Sequence, residues 1–265
     1  MGTTTRRGAT RRGEALAAQL AQDDLRAVAQ ELERLRHEVR YQRDAWSFVT
    51  ECVTTVDEVD AETPVKAFPV AACGACSRYL GAAEQDVCAR CGGAGAPLTY
   101  LEQLARQWQR GAPPILIVPK ARRMRLSWLF VALNVWLAWS RPQANVFFIS
   151  SKEEKSAELV ERAKGIVARL PVERLGPVPV TMRNTPPEIR FTANGSKILG
   201  IAEGADQLRQ YTATSILADE LGTWEWPRAA YTAMRPTIDG GGRLTIVSSA
   251  YPGFFAELIG GTALG

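Results

Sequence analysis

Lys120, Ser127, Asp219 and Glu220 are the residues of this chain whose types and spacing can do chemistry on a phosphate. Lys120 and Ser127 bracket a short basic loop, Lys120-Ala-Arg-Arg-Met-Arg-Leu-Ser127, which leaves an apolar run at 115–118 and opens into an apolar helix. This is the layout of a phosphate-binding loop: backbone N–H groups and a Lys face the phosphates, and a hydroxyl reaches Mg²⁺. The usual spacing G-x-x-x-x-G-K-[ST] is not met, because Lys stands at the first position and both Gly are missing. Taken alone, the segment reads equally as a basic surface turn. Asp219 and Glu220 end a second apolar run, Ser215-Ile-Leu-Ala-Asp219-Glu220. A carboxylate at the C-terminal end of a strand can hold Mg²⁺ through water, and its neighbour can orient or deprotonate an attacking water. A strand running into an acidic turn is the other reading. A third apolar run, Leu244-Thr-Ile-Val-Ser248-Ser249-Ala250, ends in small hydroxyl residues. Three such strand ends in this order imply a P-loop ATPase core.

The elements that must position these residues follow from periodicity. Apolar runs of strand length at 115–118 and 146–150 flank a helix at 127–139. An amphipathic helix at 152–170 carries Leu159, Ala163, Ile166, Val167 and Leu170 at helical spacing. Segments 189–192 and 197–201 flank Ala-Asn-Gly-Ser, a hairpin signal. The acidic strand, a helix at 227–234 and a strand at 245–248 follow. Strands alternating with helices predict an α/β fold with a mostly parallel sheet and ligands at its C-terminal edge. Lys120, Ser150, Asp219 and Ser248 all fall at such strand ends.

Four of the five cysteines form two CxxC pairs, Cys73-Gly-Ala-Cys76 and Cys88-Ala-Arg-Cys91, separated by eleven residues (77–87). Two such knuckles present four thiolates in the tetrahedron that Zn²⁺ prefers. A disulfide framework is the competing arrangement, but nothing in the sequence indicates secretion. Cys52 is left over as a small core residue. The ribbon at 70–95 interrupts a short link between Phe68-Pro69 and Tyr100-Leu101, so its expected part is in folding or docking, not catalysis. Arg78 and Arg90 offer a small basic surface for nucleic acid.

With these motifs in place, the chain resembles the ATPase part of a large terminase subunit, the DNA-packaging motor of tailed bacteriophages and related viruses. Lys120-Ala-Arg-Arg-Met-Arg-Leu-Ser127 is similar to the deviant Walker A motif of that family, with Lys displaced to the front and Arg inside. Ile216-Leu-Ala-Asp219-Glu220 looks like its Walker B strand, and Ser248-Ser249-Ala250 like its coupling motif. The resemblance covers roughly residues 46–253, interrupted by the cysteine ribbon. Arg125 stands where a Gly is usual, and Leu126 where other members place the Lys.

The resemblance implies a P-loop NTPase of the ASCE/RecA-like class, a mostly parallel sheet flanked by helices, with an N-terminal helix and a zinc-ribbon insertion. It implies ATP and Mg²⁺. Lys120, with Arg122 or Arg123, would bind phosphates, Ser127 and Asp219 would hold Mg²⁺, and Glu220 would activate water. Ser248 and Ser249 would sense the γ-phosphate. Arg209, eleven residues before Glu220, would reach the nucleotide of a neighbouring subunit; a surface loop Arg is the alternative. Gln103, in the helical stretch 100–110, would contact adenine, or is a plain amphipathic helix residue. The implied partners are double-stranded DNA, a portal protein, a small terminase subunit and further copies of the chain in a ring. The expected place is the procapsid portal vertex in the cytoplasm of an infected host cell. The family's C-terminal nuclease of clustered acidic residues is not expected here, which marks the chain as a fragment or a split gene product. Two other readings stand beside this one: another P-loop DNA translocase or helicase fragment, and a non-catalytic zinc-ribbon DNA-binding protein.

Composition sets the bounds. With 265 residues and 46% hydrophobic content, one large or two small domains can be built. A net charge of +4 excludes a chain that is basic throughout. The longest apolar stretch, 128–139, is too short to span a bilayer and contains Asn134; no apolar signal region precedes it. The lone His37 excludes a Ser-His-Asp triad and a His-rich metal site. Residues 1–12, with Arg6, Arg7, Arg11 and Arg12, are expected to be disordered, 13–45 to be a helix, and 46–265 to be the ATPase domain. Leu16, Leu20, Leu25, Val28, Leu32, Leu35 and Val39 recur near heptad spacing on that helix. They suit a partner helix or a dock on the core, or belong to an ordinary surface helix.

Overall fold

The computed structural model describes residues 4–56, 65–122, 124–204 and 211–262; within 4–21 it describes the helical backbone and, of the side chains, Gln19 alone. Arg123 and Arg209 therefore lie outside the described residues. The chain opens with a long helix, α1 (Thr4–Arg43). It reaches back through the basic stretch expected to be disordered, where Arg6, Arg7, Arg11 and Arg12 favour a helix although Gly8 and the Thr residues do not. Asp44, in an extended conformation, separates it from α2 (Ala45–Cys52): its carboxylate accepts from the N–H groups of Trp46 and Ser47 at 3.0 and 3.4 Å, an N-cap that starts a new helix. Strands β1 (Thr54–Val56) and β2 (Val65–Ala67) pair antiparallel. The ribbon is a three-stranded antiparallel sheet of β3 (Ala71–Cys73), β4 (Tyr79–Leu80) and β5 (Gly95–Pro97), with β3 in the middle. Helix α3 (Thr99–Arg110) stops at Gly111, whose left-handed conformation (φ 67°) suits glycine.

From there strands and helices alternate: β6 (Ile115–Lys120), α4 (Leu126–Ser140), β7 (Asn145–Ser150), α5 (Glu153–Ala168) and a short α6 (Val172–Leu175). After these come β8 (Val180–Asn184), β9 (Pro187–Phe191), β10 (Lys197–Ala202), β11 (Ser215–Asp219), a helix at Pro227–Thr237, β12 (Arg243–Ser249) and a last short helix at Phe254–Ile259. The main sheet has seven strands in the order β6-β12-β11-β7-β10-β9-β8. The first five are parallel, and β9 and β8 add an antiparallel edge.

Alternation along the strands shows why helices cover both faces. Val146 and Phe148 of β7, Leu217 of β11 and Val247 of β12 point into the core beneath α2–α5. Phe147, Ile149, Ile216, Ala218, Leu244 and Ile246 point into a second core beneath the helices at Pro227–Thr237 and Phe254–Ile259. Strands buried on both faces carry near-continuous apolar runs, as at 146–149, 216–218 and 246–247 here. Helix α4 is buried nearly all round because α2, α3 and α5 pack on its outer side. The hairpin expected around Asn194 is present as β9 and β10. Strand β8 was not legible: four of its five residues are exposed, so it carries no apolar alternation. No helix of the described residues is long and apolar enough to cross a membrane.

Candidate active site and metal centre

Strand order brings the chemistry together. β12 lies between β6 and β11, and all three run the same way, so their C-terminal ends meet on one edge: Ser249 faces Lys120 in register, and Asp219 faces Val247. One residue past β11, Glu220 turns into the left-handed region (φ 54°), a conformation uncommon outside glycine, while its N–H donates to Val247 O at 2.6 Å. The turn sends the carboxylate under the end of β12. There Oε1 accepts from Lys120 Nζ at 2.6 Å and Oε2 accepts from the Ser249 N–H at 3.1 Å. Beside it, Ser127 Oγ donates to Asp219 Oδ1 at 3.0 Å. The loop Lys and the loop hydroxyl are thus each joined to one of two adjacent carboxyl groups, across about a hundred residues of chain.

The loop itself is shaped by Arg125, which caps α4 in the left-handed conformation (φ 58°) with no side-chain cap on the helix. The first N–H groups of a helix have no intrahelical partner, so this end of α4 offers donors and positive potential beside Ser127. Ser248, wholly buried, ties the two acidic-side segments: its Oγ accepts from the Gly222 N–H at 2.9 Å and donates to Ser249 O at 3.0 Å. A Cβ at Gly222 would stand 2.8 Å from that oxygen, so the approach needs glycine.

The two carboxyls differ in environment. Burial pushes the Asp219 carboxyl up; the Lys120 charge opposes this, Glu220 adds to it, and the net shift is upward. Burial also pushes Glu220 up, but the hydrogen bonds from Lys120 and from the Ser249 N–H outweigh it and hold this carboxyl below its usual range. Glu220 is therefore ionised at neutral pH, and Asp219 is a hard oxygen donor that a nearby cation would keep ionised. A cleft of about 300 Å³ opens on this pair, lined also by Ser150, Lys155 and Arg162.

Arg162 was not singled out in the sequence because it sits on α5 among other charged residues. Its charge acts on Asp219, and its guanidinium lies 5.8 Å from the Trp128 ring centre. Trp224 was likewise unmarked; its Nε1 donates to Asp219 O at 3.0 Å. Arg122 is exposed on the loop, and Gln103 is exposed on α3. Among the described residues, Tyr100 of α3 reaches the loop, its OH donating to Met124 O at 3.1 Å.

In the ribbon, the Sγ atoms of Cys73, Cys76, Cys88 and Cys91 all lie within 4.8 Å of one another. Cys73 and Cys91 are 3.5 Å apart and Cys76 and Cys88 3.8 Å, with no disulfide among them. A tetrahedron of Zn–S bonds of about 2.3 Å has edges of about 3.8 Å, so the donor set fits that ion. Each knuckle closes through a left-handed residue after its second Cys, Ser77 (φ 57°) and Gly92 (φ 70°). N–H groups of Cys76 and Ala75 aimed at Cys73 hold its thiol down to about 6. At Cys91 the Gly93 N–H pulls downward, but the neighbouring sulfurs prevail and push it up to about 12. Held as thiolates, four sulfurs so close would need a cation among them. The ribbon also touches the loop, since the Arg125 guanidinium lies 5.1 Å from the Tyr79 ring centre.

No protein-family model and no curated protein matches this sequence. Among solved structures, the chain is similar to ATPase domains of phage large terminases. A mutant ATPase domain of the Thermus phage P74-26 large terminase superposes with a TM-score of 0.49 at 16% identity, covering 61% of this chain and 69% of that one. The HK97 bacteriophage large terminase gives 0.47 at 12% identity, covering 63% of this chain and 36% of that one. The large terminase of another thermophilic bacteriophage, solved with ADP, gives 0.43 at 11% identity, covering 56% and 37%. This chain thus spans little more than a third of the latter two proteins.

Proposed function

We propose that this chain is an ATP-hydrolysing motor domain of the large-terminase type. The observation that carries the reading is the paired arrangement at one sheet edge, Lys120 to Glu220 and Ser127 to Asp219, with the Ser249 N–H fixing the second oxygen of Glu220. In this reading Lys120 and the first N–H groups of α4 bind the phosphates of ATP, and Ser127 and Asp219 hold Mg²⁺. Bound there, the ion would neutralise charge that develops on the phosphate oxygens. Glu220 orients the attacking water and accepts its proton. It is suited to this because its carboxylate is ionised, fixed by two donors and beside the cleft. Lys120 serves two partners in turn: while it holds Oε1 of Glu220 the base is occupied, and when phosphate draws Lys120 away the carboxylate is free to take water. Ser248 bridges β12 to the turn after Glu220, so a shift of Glu220 is passed to the sheet.

Arg122, Arg123 and Lys155 are further cations for the phosphates, and Arg209 acts across a subunit interface in a ring of copies. Gln103 remains the proposed adenine contact. Resemblance of the motif set to terminases supports double-stranded DNA as the moved substrate, with a portal protein and a small terminase subunit as partners at the procapsid. Purified protein with Mg²⁺ and ATP should release phosphate, faster when linear double-stranded DNA is added. Phosphate release that DNA leaves unchanged would remove translocation from the reading while keeping hydrolysis; no ATP binding at all would end it.

The ribbon is proposed to hold one structural Zn²⁺ through Cys73, Cys76, Cys88 and Cys91. Elemental analysis should find about one zinc per chain, and a Cys76→Ser, Cys91→Ser double variant should lose it. The ribbon should then loosen, as metal binding supplies much of the folding free energy of such small modules. Metal-replete protein without zinc, or two disulfides in mass mapping, would refute this assignment.

A further inference from the structure

Helix α1 has two faces with different fates. One is seated on the body of its own chain: Tyr41 is wholly buried, its carbonyl accepts from Trp136 Nε1 at 2.7 Å, and Arg34 lies against Gly176. The opposite face carries Leu25, Val28, Leu32, Leu35 and Val39, exposed by 70, 58, 52, 42 and 47%. Their intervals of three, four, three and four residues make a two-heptad seam, with Leu25, Leu32 and Val39 at a and Val28 and Leu35 at d. A helix meeting only water gains nothing from such a stripe, and no described residue of this chain covers it.

The flanking charges identify the occupant. In this register the g positions are Asp24, Glu31 and Glu38, all acidic, and the e positions are Ala29, Arg36 and Arg43. In a parallel pair each g residue meets the e residue five places on in the other helix, which sets Glu31 beside Arg36 and Glu38 beside Arg43. An antiparallel pair would set Glu against Glu and Arg against Arg. The seam is therefore complementary to itself in one orientation only. Along its own helix Arg36 makes only an exposed i,i+3 contact with Glu33, worth little and readily exchanged. Arg34 holds Glu31 through two hydrogen bonds of 2.6 and 2.8 Å and Glu38 through one of 2.9 Å, and each carboxylate keeps lone pairs with which to accept from the partner's Arg36 or Arg43 as well. We propose that α1 docks on α1 of a second copy of this chain, parallel and in register, as a two-stranded coiled coil.

The seam is about 21 Å long at 1.5 Å per residue, a short contact, so the association should be reversible. Sedimentation equilibrium of the full chain, from about 1 to about 100 µM, should show a reversible monomer–dimer equilibrium. Leu32→Glu should raise the dimer dissociation constant by at least ~30-fold, since each dimer loses two apolar side chains from the seam. Its circular dichroism should stay that of wild type, because Leu32 is exposed in the single chain. An independent variant, Arg36→Glu with Arg43→Glu, should weaken self-association and regain it when mixed with Glu31→Arg, Glu38→Arg protein. Orientation is read from Leu25→Cys, which should oxidise to a disulfide between the two copies' own residue 25. A monomer at every concentration, or a dimer indifferent to Leu32→Glu, would overturn the proposal. So would a disulfide forming between Leu25→Cys and Leu35→Cys proteins in place of the 25–25 link, since an a residue faces a d residue only in an antiparallel pair.

Discussion

Replacing Glu220 by Gln should leave ATP binding near wild type and lower turnover by about 10²–10⁴-fold, the range for losing a positioned general base. The amide has the shape of the carboxylate, and its oxygen can still accept from Lys120 or from the Ser249 N–H. What it cannot do is take a proton. Because Lys120, Ser127 and Asp219 are untouched, the loss should fall on kcat and not on nucleotide affinity. Single-turnover hydrolysis beside equilibrium binding of a fluorescent ATP analogue separates the two. Equal turnover by Glu220→Gln and wild type would take this carboxylate out of the chemistry.

Lys120→Ala should weaken nucleotide binding by ~10–100-fold, the worth of a hydrogen bond to a charged group, and should slow hydrolysis as well. No single change of Arg122, Arg123 or Arg125 to Ala should do as much. The reason is placement. Only 13% of the Lys120 side chain is exposed, and its ammonium already lies inside the site, 2.6 Å from Glu220. Arg125 is turned toward the Tyr79 ring and Arg122 toward solvent. Leu126 occupies the loop's usual Lys position and carries no charge, so a cation must enter from the strand side. The variant also strands Glu220 half-buried without its ion pair, which should raise that carboxyl's pKa. Nucleotide titrations of the four variants decide the matter: ATP binding like wild type in Lys120→Ala, with loss in an Arg variant, would reassign the phosphate role.

Much of this protein was legible in one dimension because its signals are local. Period-two and period-3.6 patterns depend only on which face a residue shows, so β6, α4, β7, α5 and β11 can be marked from the chain alone. CxxC spacing is likewise a local fact, and the four sulfurs converge because two short knuckles can close in few ways. The acidic pair at the end of β11 was visible for the same reason.

What the chain could not reveal was order in space. Periodicity says that β6, β11 and β12 exist; only the tertiary structure decides that β12 lies between the other two, and so that Glu220 meets both Lys120 and Ser249. The hydrogen bond from the Glu220 N–H to Val247 O, the contact of Tyr79 with Arg125 and the action of the Arg162 charge on Asp219 join residues far apart in the chain. Strand β8 escaped notice because an exposed edge imposes no alternation, its pairing being made by backbone groups that every residue carries. The heptads of α1 show the division most plainly. Its sequence sets the spacing of the apolar stripe, but whether that stripe faces the chain's own core or the outside is decided by which side Tyr41 and Arg34 occupy.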